Sequence, residues 1–169
     1  MSAAEHPTST LPAPLADLVE RYARGAAELR AAVAGMTPAE LHARPVPGRM
    51  STHQVVCHLA DAEMLYADRI KRVLAEDRPT LPGLDPDLHV PRLAIPERQI
   101  ENELALVDAV RRQLLAILRT LGPADFAREG IHTEAGPLSV EALLRRVVEH
   151  VPHHAKFIAE KRAAMPATP

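Results

Sequence analysis

The chain has 169 residues and a formal net charge of −2 with acids and bases mixed throughout. That is the size of one domain, with neither a basic face for nucleic acid nor a polybasic patch for a membrane surface. Aliphatic residues dominate, with two Phe, two Tyr and no Trp, a balance that suits close-packed helices better than a sheet.

The single Cys57 excludes an internal disulfide and a multi-cysteine metal site, and it fits a reducing, cytoplasmic compartment. MSAAEHPTSTLPAP lacks the cationic start and apolar segment of a secretory signal. No apolar run approaches the roughly 20 residues of a membrane span. A soluble protein is expected.

Residues 1–13, with His6-Pro7 and Pro12-Ala13-Pro14, read as a mobile tail ahead of a single domain over 14–166. Leu15, Leu18, Val19, Tyr22, Ala26, Leu29 and Val33 recur at helical spacing and predict a first helix from Leu15 to about Ala34, closed by Gly35. Thr37-Pro38-Ala39-Glu40 has the form of a capping box and predicts a short helix, stopped by the prolines of ARPVPG. Ser51-Thr52-His53-Gln54 is a second capping box. It opens a long helix with Val55, Leu59, Ala62, Tyr66, Ile70 and Val73 inward, ending before Asp77.

Five prolines between Pro79 and Pro96 mark a long connection without periodicity, either a functional loop or a rigid cross-link between helices. A third long helix is predicted from Pro96 to about Leu121, and a fourth from Val140 to about Met165 behind the N-cap Ser139. No strand signal and no internal repeat is visible. Four long amphipathic helices in one domain predict an all-α four-helix bundle with long connections.

The fourth helix contains EHVPHHAKF, three histidines within five residues around Pro152. Proline removes a helix hydrogen bond, but Leu143, Val147, Val151, Phe157 and Ile158 keep one face across it, which predicts a single kinked helix. At about 100° per residue, His154 falls within that stripe, His150 at its edge and His153 toward solvent. His150 and His154 are therefore an i, i+4 pair able to grip one metal from a helix. His58, at the edge of the apolar face of the second long helix, is the best third ligand. His132, on a loop, could approach the open end of such a site. Spacing alone leaves open that these are core histidines with satisfied hydrogen bonds.

GRMSTHQVVCHLADAEMLYADRIKRVLAEDRPTL resembles the second-helix segment of the DinB/YfiT-like metalloenzyme superfamily. IHTEAGPLSVEALLRRVVEHVPHHAKFI resembles its closing loop and final helix, with the H-x-x-x-H pattern. The nearest branch is the YfiT-like group, which includes bacillithiol transferases. The resemblance implies that His58, His150 and His154 bind the metal, the three that wheel geometry selects, and it implies a homodimer. One departure is Met50, where such proteins often carry Trp.

Three neutral imidazoles leave a divalent metal with open positions, the catalytic arrangement. Zn²⁺ is the first expectation and Ni²⁺ the second. The resemblance implies a metal-dependent thiol S-transferase, joining a low-molecular-weight thiol co-substrate such as bacillithiol to a small electrophilic substrate. A metal-dependent hydrolase of amides or esters and a non-catalytic metal- or ligand-binding bundle are the alternatives. Glu63, near the apolar side of its helix, is the preferred carboxylate to support a ligand imidazole. Asp61 and Glu149 read as surface charges, and Cys57 as a packed residue. Arg69 and Arg92 are the candidates to hold the thiol's polar groups.

Overall fold

The computed structural model describes residues 11–93 and 95–165, so the expected tail falls almost wholly outside the described residues. The four long helices are α1 (Ala13–Val33), α3 (Thr52–Ala75), α5 (Ile100–Leu118) and α7 (Val140–Ala164), with the short α2 (Pro38–His42) between the first two. Both capping boxes form. Thr37 Oγ1 accepts from the Glu40 amide at 3.3 Å while the Glu40 carboxylate accepts from the Thr37 amide at 2.6 Å. Ser51 and Gln54 exchange the same pair of bonds at 3.1 and 2.9 Å. Each satisfies two orphan donors of a helix start.

The bundle wraps α1 and α3 each against both α5 and α7. Helices α1 and α3 are therefore diagonal, as are α5 and α7. This order follows from the long connections, which carry the chain across the bundle instead of back along its neighbour. The core is aliphatic, from Leu18, Leu29, Val56, Ile70, Leu114, Leu143, Leu144 and Ile158. Helix α7 runs unbroken through Pro152, as the continuous apolar face predicts.

The structure adds to or corrects the expectations for the connections and for the third long helix. The 79–96 connection is structured: it holds strand β1 (Thr80–Leu81), helix α4 (Pro86–Arg92) and a 3-10 turn at Ile95–Glu97. Pro96 sits in that turn, so α5 starts later than expected, behind Gln99. It also stops sooner, at Leu118, before the short α6 (Pro123–Phe126).

Strands are also present. β2 (Glu129–His132) pairs parallel with β1 and antiparallel with β3 (Gly136–Ser139). Strands of two to four residues are too short to show alternation in a sequence. Gly136 takes φ +71° at the turn between β2 and β3, where glycine carries no Cβ penalty. This small sheet places His132 at the end of β2.

The bundle centre also holds a polar triad that ties three helices together. Tyr22 of α1 donates to Glu63 of α3 at 2.6 Å, and Arg111 of α5 donates to the same carboxylate at 2.8 and 3.0 Å. Arg111 also donates to the Tyr22 carbonyl at 2.8 Å. All three side chains are buried. Gly25 makes room for the guanidinium, because a Cβ there would lie 1.8 Å from Arg111 Nη1. Burial raises the Glu63 pKa, opposed by the Arg111 charge and the Tyr22 hydroxyl.

Removing one partner of such a set strands a buried charge. Glu63→Ala is expected to lose about 3–5 kcal/mol in urea denaturation. Adding Arg111→Met to it should recover much of that loss, since no unpaired cation then remains.

Candidate metal centre

Helix α3 carries His58 and helix α7 carries His150 and His154, and the two helices pack side by side. His58 and His150 at the edges of their apolar stripes, and His154 within its own, turn their rings toward the α3–α7 seam. There His150 Nε2 lies 3.2 Å from His58 Nε2 and 3.1 Å from His154 Nε2. The ring centroids are 4.7–5.1 Å apart. One ligand nitrogen from each of the three falls within 4.8 Å of the others. Two nitrogens bound tetrahedrally to zinc at about 2.0–2.1 Å are about 3.3 Å apart, so the observed spacings match a shared coordination sphere. His153 is exposed and its ring stacks edge-on against Phe157 at 5.0 Å.

The electrostatics fit the same use. Burial holds the His58 pKa below its ordinary value. Burial, reinforced by the neighbouring imidazoles, takes His150 to about 4 and His154 to about 3. A metal binds imidazole in the neutral form, and these rings stay neutral at physiological pH. The Nδ1 of His154 is buried without a hydrogen-bond partner among the described residues.

The supporting carboxylate expected from Glu63 is placed elsewhere: both its oxygens are taken by Tyr22 and Arg111. Asp61 is the carboxylate whose charge reaches His58. It is not a free surface charge, because Arg98 grips it with two bonds of 2.9 Å. Glu149 is exposed and paired with Arg21. Cys57 is fully buried, and burial pushes its thiol up to about 11, so it remains an inert packed group.

A cavity of about 240 Å³ opens on the His58 and His150 side of the cluster, lined also by Tyr66, Arg69, His132 and Arg146. Ala62, Leu65, Tyr66 and Arg69 follow His58 at i+4, i+7, i+8 and i+11, so one face of α3 forms its wall. The sequence shows Tyr66 only as an inward core residue and does not single out Arg146. Arg146 stands one helical turn before His150 and could have been found by that spacing. His132 reaches the cavity because β2 carries it there. Its Nδ1 accepts from the amides of Glu134 and Ala135 at 3.2 and 3.3 Å, which leaves Nε2 as the protonated nitrogen. Arg92, on α4, is exposed.

Comparison with known proteins supplies the family. The family model of the DinB superfamily matches residues 21–158. The chain belongs to the DinB superfamily. Among DinB relatives, YfiT of Bacillus subtilis, named a "Putative metal-dependent hydrolase", is 32% identical over 79% of this chain and 76% of its own. A protein of the same description from Oceanobacillus iheyensis is 30% identical over 66% of this chain, and the match spans only 64% of that relative. The solved structure of Bacillus subtilis YfiT, described as having an unusual four-helix bundle topology, superposes with a TM-score of 0.84. It covers 96% of this chain and 92% of its own at 25% identity. The four-helix bundle expected from the four amphipathic helices is the observed fold, with a small three-stranded sheet added to it.

Protein purified without a metal-affinity step is expected to retain a divalent metal by elemental analysis. His58→Ala, His150→Ala and His154→Ala should each lose it, and His153→Ala should keep it. The metal-free chain should also be acid-sensitive. Imidazoles titrate near 6.5 when unfolded and well below that when folded, so the unfolded state binds more protons at mildly acidic pH. Their stabilising contribution is complete above about pH 6.5 and is lost as pH falls through about 4 and then 3. Denaturation midpoints of the chelated protein across that range check the sign.

Proposed function

We propose that the protein is a metal-dependent S-transferase, joining a low-molecular-weight thiol that carries anionic groups, of the bacillithiol kind, to a small electrophile. The reading rests chiefly on Arg69. This side chain is 4% exposed, yet no carboxylate lies within ion-pair distance of it among the described residues. Its hydrogen bonds go to the Pro82 carbonyl, including one of 3.1 Å from Nε. A buried guanidinium satisfied only by a carbonyl retains most of its charge for a ligand. It lines the same cavity as His58 and His150, with Arg146 beside it.

His58, His150 and His154 would hold a divalent cation, which would supply Lewis acidity that favours a thiol in its thiolate form. Arg69 and Arg146 bind the carboxylates of the thiol and point its sulfur toward the imidazole cluster. The thiol gives up its proton to solvent, sulfur forms a bond to the electrophilic carbon, and the leaving group departs with its bonding pair. His132, fixed as an Nε2–H donor, can hydrogen-bond that leaving group. A larger cavity of about 680 Å³, which shares Tyr66, Arg146 and His150 with the first, accommodates the electrophile.

Hydrolysis of an amide or ester is the second reading. It is favoured by Glu134, a carboxylate in the same cavity that could serve as a general base, and by the names of the relatives.

Metal-loaded protein is expected to conjugate bacillithiol to a chromogenic electrophile, with little activity for a thiol lacking carboxylates. Arg69→Ala and Arg146→Ala should raise the KM for the thiol about tenfold or more while metal content is retained. Turnover of ester or amide substrates with no thiol present would replace transfer by hydrolysis.

A further inference from the structure

A third cavity, of about 380 Å³, lies behind His154 and reaches neither His58 nor His150. Its walls are Arg49, Met50, Val55, Phe157 and Lys161, with His153 and His154 at one side. Lys161 is the feature that needs explaining. It is 2% exposed, and among the described residues it has no ion pair and no hydrogen bond. Burial lowers its pKa, and the nearby Arg49 charge lowers it further. Glu160 acts in the opposite sense, but it is exposed and does not line the cavity.

Arg49 is itself without a carboxylate partner among the described residues. Its guanidinium is held over the Phe157 ring, 4.9 Å from the centroid, an arrangement that keeps it at the cavity wall. Two cations thus converge on one space and repel each other across it. The Lys161 ammonium is not among the fully buried polar atoms without a partner, so its remaining exposure opens onto this cavity, where an anion can take the place of solvent. The rest of the lining is apolar: Met50, Val55 and the free surface of Phe157. The N-terminal end of α3, with its positive dipole, borders the same space through Met50 and Val55.

The geometry points to a binding site for a small organic carboxylate, distinct from the open side of the imidazole cluster. The carboxylate sits between Lys161 Nζ and the Arg49 guanidinium, and an apolar body rests on Phe157, Met50 and Val55. Inorganic anions satisfy the charges but leave the apolar wall uncovered. This inference does not depend on the transferase reading. It does place a ligand against the ring of His154, so occupancy and metal retention at that residue share a wall.

The test uses the full-length protein as purified, with benzoate as the probe, inorganic phosphate as the comparison, and calorimetric titration as the readout. Saturable benzoate binding is expected, weakened about tenfold or more in Lys161→Met and clearly weakened in Arg49→Gln, with phosphate binding weaker than benzoate. Metal content, measured on the same samples, should be unchanged in both variants. Lys161→Met replaces the buried cation with an apolar chain of similar shape, so it should fold and melt no lower than the parent chain. Benzoate binding that survives Lys161→Met at full strength would place the anion on the metal or elsewhere and overturn the proposal. Absence of binding, or phosphate binding as tightly as benzoate, would overturn it equally. Thiol transfer is assayed separately, so loss of benzoate binding and loss of transfer can be told apart.

Discussion

The side-by-side packing of α3 and α7 is the constraint on which the chemistry of this protein rests. His58 on one helix and the i, i+4 pair on the other meet only because the two helices turn these apolar faces to the same seam. The aliphatic core holds that seam closed. Desolvation at the seam keeps all three imidazoles neutral, the form in which they can donate to a metal. Packing thus sets both the position and the protonation state of the donor set. Pro152 does not interfere, because the apolar face of α7 is continuous on both sides of it and tertiary burial outweighs the lost hydrogen bond.

Three buried cations in this small bundle have different surroundings, and the difference separates structure from function. Arg111 is fully engaged by Glu63 and the Tyr22 carbonyl, and Gly25 leaves space for it. It is a structural group that ties α1, α3 and α5 at the bundle centre. Arg69 and Lys161 are equally buried but reach no carboxylate within ion-pair distance among the described residues, and each lines a cavity. Desolvated cations without counter-charges are unfavourable for the isolated chain and favourable for an anionic ligand. They stand on opposite sides of the imidazole cluster, one on the His58 and His150 side, the other behind His154.

The histidine cluster is unusually legible in the sequence. Helical periodicity is a local property, and a capping box or N-cap states where each wheel begins, so the inward and outward residues of α3 and α7 sort by position along the chain. The same wheel turns His153 to solvent, where it is exposed. The resemblance of VCHLADAE and EHVPHHAKF to DinB proteins joins the two helices. Glu63 shows the limit of such reasoning. Its wheel position correctly makes it an inward residue, but a wheel does not say which neighbour an inward carboxylate meets, and Arg111 stands nearly fifty positions away.

The sequence by itself determined the four long helices, the two capping boxes, the buried faces and the one-turn spacing of His150 and His154, because each depends on interactions within about one or two turns of chain. Only the tertiary structure decided the diagonal placement of α1 against α3, the short strands that carry His132 to the cavity, and the partners of Glu63, Arg69 and Lys161. Those features depend on long-range contacts and on the shape of the space between helices. Strands of two to four residues carry too few positions to show a period, and a buried charge reveals its role only when the groups around it are known.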